Sequence, residues 1–182
     1  VGPPRPSGWV GALPPAGGVT LAPFSFSTAW GANPPIVIFS PTLRRDGTKK
    51  DTLINLESLG EFVIHASTEA LANQVNLTSR EVPPSESEVS LAGLTTIPSE
   101  KVRPPRIAES PVAMECVVRQ IVPCGTGPIA ANLVIGEVVL MHIADAVLDA
   151  AGRVDPRKLR TVARLGGDFW CRTSDLFEQK RP

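Results

Sequence analysis

A charged loop between a predicted strand and a predicted helix is the most informative segment of the sequence. Six of the eight residues from Arg44 to Asp51 are charged, and four of these six are positive. A helix N-terminus presents free N–H groups and a partial positive charge, so a basic loop at this place can hold a phosphate, with Thr48 and Thr52 as further donors. The alternative is a solvated charged turn. The loop is not a Walker A loop, because it lacks the first glycine and the Ser or Thr directly after the lysines.

A second glycine-containing segment, Gly125 to Ala130, matches the dinucleotide-binding pattern G-x-G-x-x-A, and Asp145 follows at a suitable distance. That motif has to open a helix, whereas a β-prone segment follows here. The segment therefore predicts a hairpin turn and not a dinucleotide site.

Hydrolytic chemistry finds little support, because there is no G-x-S-x-G pattern and only His65 and His142 are available as bases. His65 lies in an apolar strand and is expected to be structural. His142 ends a long apolar strand, where a structural role is favoured and catalysis is the alternative. No catalytic side chain is assigned.

Three cysteines, Cys116, Cys124 and Cys171, are too few and too scattered for a disulfide framework or a cysteine zinc site. They lie in or beside β-like runs without a basic neighbour, so we expect inert apolar fillers. We find no metal ligands at usable spacing. The odd number of cysteines suits a reducing cytoplasm.

Length and composition predict one folded domain over residues 1–182. Lysine plus arginine and aspartate plus glutamate number 18 each, which argues against a general nucleic-acid binder. No apolar run approaches the ~20 residues of a membrane-spanning helix. The 19 prolines disfavour a helical bundle, because proline removes a backbone donor and clashes in a helix interior.

The elements that must position these residues are mainly strands. Residues 9–13 and 19–26 are predicted to form a hairpin around a turn at 14–18, and residues 36–39 and 61–65 are predicted strands. Thr52 to Leu59 is a predicted helix closed by Gly60, and a second helix is predicted from Ser67 to about Asn76.

The second half of the chain predicts a long surface excursion over residues 81–110. A hairpin of two long strands follows, Val112 to Val122 and Leu133 to Ile143. Asp155 and Pro156 start a short helix, and the tail is expected to be irregular. Together the elements predict an antiparallel β-barrel or sandwich with a few short helices.

Over nearly the whole chain, the sequence resembles the flavin reductase-like, FMN-binding split-barrel family, in its flavoredoxin-type branch. The segments that carry the resemblance are Arg5–Trp9, Leu21–Phe26, Pro34–Pro41, Arg44–Thr52, Gly60–Val63, Ile135–Val139 and Leu165–Gly167. The resemblance implies a Greek-key split β-barrel that works as a homodimer with one FMN per subunit. It also implies hydride transfer from NADH or NADPH to the flavin, and a monooxygenase as a possible partner.

The resemblance also implies the cofactor-binding residues. Near the flavin ring it places Ala22, Pro23, Phe24 and Ser25; along the ribityl chain Ser40 and Pro41; at the phosphate Lys50, Asp51 and Thr52; and closing over the flavin Arg164, Leu165 and Gly166, with Gly167. Asp51 is expected to cap the helix or orient a lysine, because its charge repels a phosphate.

One departure from the family concerns the nicotinamide. Many relatives carry Gly-Asp-His before the strand with Gly-Glu-Val, whereas this chain has Ala131-Asn132. An FMN-binding electron carrier without nicotinamide reductase activity is therefore the alternative function, and a split barrel that has lost flavin is a third reading.

Overall fold

The computed structural model describes residues 3–14, 18–83 and 86–180, and strands dominate its regular structure. The strands are β1 (Arg5–Pro6), β2 (Gly8–Ala12), β3 (Thr20–Phe24), β4 (Ser27–Ala32), β5 (Pro35–Phe39), β6 (Glu61–Ala66), β7 (Thr96–Ile97), β8 (Arg106–Ile107), β9 (Val112–Pro123), β10 (Asn132–Ile143), β11 (Val162–Arg164) and β12 (Trp170–Arg172). The helices are α1 (Asp51–Leu59), α2 (Ala72–Leu77), α3 (Glu88–Leu91) and α4 (Pro156–Leu159), with 3-10 turns at Glu69–Leu71 and Asp145–Val147. None of these helices has the length and apolar character needed to cross a membrane.

Seven strands form one antiparallel sheet in the order β3-β2-β6-β9-β10-β5-β4. The two edge strands, β3 and β4, are consecutive in the chain and are joined only by Ser25 and Phe26. The sheet therefore has to curl until its edges meet. The predicted fold, a mainly β Greek-key split barrel with short helices, is confirmed.

Ser27 bridges the split between the two edges. Its hydroxyl accepts a hydrogen bond from Gly8 N–H at 2.8 Å and donates to Pro6 O at 3.1 Å. These two side-chain bonds replace the backbone hydrogen bonds that join neighbouring strands elsewhere in the sheet. They fix β1 and the start of β2 against β4.

The two larger clusters of the core lie on opposite faces of β2, which is buried along its whole length. Val10 points into the barrel with Phe39 and Phe62, and Trp9 points to the opposite face. On that face Trp9 packs in a second cluster whose other buried members are Leu21, Leu71, Val75, Val89 and Ile107. Continuous burial explains why β2 reads as an unbroken apolar run.

Local sequence signals place several elements correctly. Helix α1 ends at Leu59, and Gly60 follows in the left-handed conformation with its N–H bonded to Leu56 O. The long strands β9 and β10 pair as the predicted hairpin, and no helix follows Gly125–Ala130. Asp155 caps α4 by accepting from Arg157 N–H at 2.8 Å. Part of the predicted turn at 14–18 lies outside the described residues.

The reading of residues 81–110 as a surface excursion is wrong in part, because buried contacts anchor this segment. Glu115, fully buried in β9, accepts backbone N–H bonds from Glu100 at 2.9 Å, Lys101 at 2.6 Å and Val102 at 3.2 Å. Burial alone would raise the pKa of the Glu115 carboxyl, but these bonds and one to His142 lower it below its ordinary value. A buried carboxylate thus ties the excursion to the sheet.

Two further expectations need correction. The second predicted helix, Ser67 to Asn76, is a 3-10 turn at Glu69–Leu71 that continues into α2. The tail is not irregular throughout, because β11 pairs with both β1 and β12 in a separate three-stranded sheet. The second difference depends in part on a contact between distant residues, because Arg5 and Pro6 of β1 pair with β11.

Gly136 in β10 generates a stability prediction. A Cβ at this position would lie 2.7 Å from Cε1 of Phe62, whose ring is fully buried and has no room to move away. We expect Gly136→Ala to lower the free energy of unfolding by about 1–3 kcal/mol through overpacking. Gly125→Ala is the matched control, because its Cβ would meet Ala130 at an ordinary 3.6 Å. Chemical denaturation measures both; equal stability of Gly136→Ala and the wild type would contradict the packing argument.

Candidate functional site

The loop between β5 and α1 is attached to the connector between β9 and β10. Leu43 N–H donates to Ala130 O at 2.9 Å. The side-chain amide of the buried Asn132 donates to Pro41 O at 3.0 Å. These bonds fix the course of residues 40–50 and therefore the place where the loop delivers the start of α1.

A small cleft of about 80 Å³ opens at the N-terminus of α1. Four residues of the predicted site line it together: Ala22, Lys50, Asp51 and Thr52. The other lining residues are Thr20, Arg44, residues 78–82 and Glu88. Because the first N–H groups of a helix have no partner within it, the cleft offers backbone donors beside a hydroxyl and cations. That donor set suits a phosphate.

The cations of this cleft differ in how they are paired. Arg44 lies 3.0 Å from the Asp51 carboxylate and 3.7 Å from that of Glu81, so two carboxylates neutralise it. In the described part of the chain, neither Lys50 nor Arg80 has a carboxylate within ion-pair distance. The unpaired positive charge of the cleft therefore comes from Lys50 and Arg80.

The expected role of Asp51 needs correction. Asp51 is the first residue of α1, the N-cap is Lys50, and no side-chain bond caps the helix there. The Asp51 carboxylate binds Arg44 and not a lysine. Asp51 therefore orients Arg44, which in turn braces the loop.

Glu88 is a member of the cleft that the sequence analysis missed. Its carboxylate is buried and accepts a hydrogen bond from Leu21 N–H at 3.2 Å. Burial raises the pKa of Glu88, and the nearby charge of Asp51 adds to that direction. No local sequence pattern indicates this contact, because Glu88 and Leu21 lie far apart in the chain.

A second, larger pocket of about 330 Å³ lies between β1, β4, β5 and the junction that joins β3 to β4. It brings together Ser25 and Ser40 of the predicted site with Arg5, which the sequence analysis did not assign individually. Its remaining lining is mostly apolar: Pro4, Pro6, Phe26, Ser27, Thr28, Ile38, Phe39 and Leu133. A flat ring system with a few polar atoms matches such a wall.

Two buried polar atoms of this pocket lack a hydrogen-bond partner within the described residues, the Ser40 hydroxyl and Arg5 Nε. Buried polar groups in folded proteins are almost always hydrogen-bonded, so two orphans in one pocket indicate a bound ligand with polar atoms. The donors of this pocket and of the cleft at α1 therefore fit the chemistry of a flavin ring and of a phosphate.

The predicted closing segment is connected to this pocket through Arg5. Arg5 Nη2 donates to Leu165 O at 2.7 Å, and the backbone of Arg5 pairs with Arg164. Arg164 donates to Gly167 O at 3.0 Å, and its guanidinium lies over the Trp170 ring. The hairpin that contains Leu165 and Gly166 is thereby fixed beside the pocket.

Phe24, Trp9 and Trp30 differ in how accessible their rings are to a ligand. The Phe24 side chain belongs to the barrel core, with its ring 5.2 Å from that of Phe39, so only its backbone is available to a ligand. Trp9 is fully buried and donates to Thr78 Oγ1 at 2.8 Å, whereas Trp30 is exposed. Pro23 is half-buried opposite Trp9 in the β2–β3 ladder.

Both histidines are engaged in structural contacts. His65 Nδ1 lies 3.0 Å from Trp9 O, and His65 Nε2 accepts from Ile107 N–H at 2.9 Å. Burial lowers the pKa of His65 to about 4, so the ring is neutral and donates to Trp9 O. His142 Nε2 lies 2.6 Å from the buried carboxylate of Glu115.

Cys116 fits the expected role of an apolar filler, whereas the exposed Cys124 does not. Cys116 is buried in the barrel core, and burial raises the pKa of its thiol. Cys124 is exposed, Cys171 is half-buried, and all three are free thiols. A thiol without a lowered pKa is a poor nucleophile, so Cys116 serves as apolar packing.

His65 generates a prediction about pH. Above pH 6.5 the ring is neutral in both the folded and the unfolded chain. Between pH 6.5 and 4 the unfolded chain binds a proton that the folded protein does not, so the free energy of unfolding falls. From pH 7 to 4.5 we expect the wild type to lose about 2–3 kcal/mol more than His65→Gln, measured by chemical denaturation. Parallel pH profiles of the two proteins would contradict this assignment.

The chain matches the flavin reductase like domain family over residues 2–162. Among solved structures, it is similar to nitrilotriacetate monooxygenase component B from Bacillus cereus. The two are 36% identical with a TM-score of 0.90, over 97% of this chain and 88% of the other.

Two further structures are similar to this chain. One is 2-nitrobenzoate 2-nitroreductase from Pseudomonas fluorescens, at 30% identity and a TM-score of 0.87, over 100% of this chain and 86% of the other. The other is a flavoredoxin of Desulfovibrio vulgaris, at 18% identity and a TM-score of 0.83, over 98% of this chain and 92% of the other. The latter similarity concerns the fold alone.

Proposed function

Because the chain belongs to the flavin reductase-like family, we propose that it binds FMN and transfers a hydride from NADH or NADPH to it. One observation carries the proposal: an apolar pocket with two unpartnered buried polar atoms and a phosphate-type cleft are joined by a single ordered loop. FMN has the matching form, a flat ring at one end and a phosphate at the other.

The assignment of residues to FMN follows this division. Ser25 borders the ring, whereas Ala22 lies in the cleft at α1, and Pro23 and Phe24 connect the two. The Ser40 hydroxyl, with Pro41 beside it, meets the ribityl chain. Lys50 and Thr52 bind the phosphate together with the first N–H groups of α1. Asp51 does not bind the phosphate itself but holds Arg44 in place. The hairpin at Arg164, Leu165 and Gly166 closes the larger pocket.

Bound FMN supplies the electron chemistry: two electrons and a proton pass as hydride from the nicotinamide ring to the flavin, leaving the oxidised nicotinamide nucleotide. The chain's own residues bind and orient the flavin and exclude water from it. No side-chain nucleophile or base is required, in accord with a neutral buried His65 and a His142 bound to Glu115.

The electron carrier without nicotinamide reductase activity is the second candidate, and Asn132 favours it. Ala131-Asn132 stands where many relatives have Gly-Asp-His, and the buried Asn132 amide donates to Pro41 O. The pair therefore offers a nicotinamide neither the histidine nor the carboxylate of those relatives.

The absorption spectrum and NADH or NADPH consumption separate the candidates. The proposal expects a flavin spectrum at one FMN per chain and steady consumption of the nicotinamide with added FMN. A flavin spectrum without consumption would support the carrier. A protein that binds no FMN would be the split barrel that has lost flavin.

We extend the proposal to partners and location. One similar structure is a component of a monooxygenase, so we propose that the reduced flavin serves a monooxygenase or another acceptor. The three free thiols and a nicotinamide donor suit the cytoplasm.

The phosphate assignment generates a prediction about two residues. Thr52→Ala removes a hydrogen bond to a charged group, about 1.5–3 kcal/mol, and should weaken FMN binding roughly tenfold to hundredfold. Lys50→Ala should weaken FMN binding more at low salt than at high salt, because salt screens an exposed ionic contact. Calorimetric titration with FMN measures both effects.

Riboflavin provides the control for this prediction, since it lacks the phosphate and its affinity should stay nearly constant. Thr126→Ala and Lys101→Ala are matched surface variants that should leave FMN binding unchanged. Equal losses of affinity for FMN and riboflavin would show that this cleft does not bind the phosphate.

We also propose a homodimer. Val139 and Met141, two residues apart on β10, are 38% and 48% exposed. Such neighbouring apolar side chains on the outside of a long hairpin suit burial against a second copy.

Light scattering at micromolar concentration should give about twice the 19.3 kDa of one chain. Met141→Lys should weaken the association by placing a charge in the interface, whereas Leu91→Lys on α3 should not. A wild type of single-chain mass would refute the dimer.

A further inference from the structure

Arg5 is a cation in an apolar pocket that no carboxylate neutralises. It lines the 330 Å³ pocket with Phe26, Ile38 and Leu133. Among the described residues, no carboxylate lies within ion-pair distance of its guanidinium. A charge in such surroundings is unfavourable unless an acceptor or an anion compensates it.

Three contacts fix the guanidinium in place. Arg5 Nη2 donates to Leu165 O at 2.7 Å, the guanidinium carbon lies 4.8 Å from the centre of the Phe26 ring, and the Arg5 backbone pairs with Arg164. Arg5 Nε, in contrast, is buried without a partner. A charged donor that is already oriented and still unsatisfied is suited to an acceptor on a ligand.

The chemistry of the pocket identifies this acceptor. A phosphate is served by the cleft at α1, which shares no lining residue with this pocket. The apolar walls fit a ring, and the hydrogen-bond acceptors of the flavin ring lie on its pyrimidine side. The same side carries the negative charge when the ring has been reduced.

We propose that Arg5 binds the pyrimidine edge of the flavin and stabilises its reduced, negatively charged form more than its oxidised form. The inference rests on the proposed function and adds a residue that tunes the cofactor. Arg5 acts as a fixed charge placed where negative charge develops. The Leu165 carbonyl and the Phe26 ring are its positioning contacts.

The test compares the affinity for oxidised and reduced FMN, the latter under anaerobic conditions, together with the midpoint potential of the bound flavin. In Arg5→Met, the dissociation constant of reduced FMN should rise about tenfold more than that of oxidised FMN. For a two-electron couple this lowers the midpoint potential by about 30 mV. Arg5→Lys, which keeps the charge, should lose less than Arg5→Met.

Controls separate this role from a structural one. Arg153→Met removes an exposed arginine that is paired with Asp149, and should leave both affinities unchanged. Riboflavin should show the same preference as FMN, since the phosphate takes no part. A thermal unfolding midpoint for each variant verifies folding.

Several results would overturn the inference. These are equal weakening of oxidised and reduced FMN in Arg5→Met, equal effects of Arg5→Lys and Arg5→Met, or loss of the effect with riboflavin. If the wild type binds FMN and Arg5→Met leaves the ratio of the dissociation constants of reduced and oxidised FMN unchanged, this inference alone is refuted. A wild type that binds no FMN refutes the proposed function and this inference with it.

Discussion

The junction of Ser25 and Phe26 is the constraint on which the rest of the structure depends, because it joins both edges of one sheet. Seven strands laid flat at about 4.8 Å spacing would separate the edges by about 29 Å. From Phe24 to Ser27 the chain has three steps of at most about 3.8 Å each. The sheet is therefore forced to curl, and Ser27 completes the closure through its bonds to Gly8 and Pro6.

The same junction also locates the candidate site. Ser40 N–H donates to Phe26 O at 2.9 Å, which holds the end of β5 against the junction and leaves the larger pocket between them. From Ser40 the loop runs on to α1, attached to the β9–β10 connector. The pocket and the cleft are therefore two ends of one rigidly held segment, and this arrangement suits an elongated ligand with unlike ends.

What the sequence could predict depends on how local each signal is. Gly60 ends α1 and Asp155 begins α4 through contacts within a few residues, and both are legible in the sequence. The anchoring of Glu100–Val102 by Glu115 and the burial of Glu88 over Leu21 join distant segments, so no local pattern announces them. For the candidate site, a basic loop before a helix indicated a phosphate site, and the family resemblance assigned it to Lys50–Thr52. The position of Arg5, in contrast, depends on the pairing of β1 with β11.

Arg5 and Arg44 show why residue type alone does not assign a role in this protein. Arg5 lines the larger pocket and Arg44 lines the cleft at α1. Arg44 lies between the carboxylates of Asp51 and Glu81, which neutralise its charge. Arg5 is held by a carbonyl and an aromatic ring, neither of which cancels its charge. The chain as a whole has zero net charge. A cation that has no carboxylate partner among the described residues therefore leaves an excess positive charge at this apolar pocket. The proposed ligand, which becomes negative during its reaction, would supply the missing negative charge.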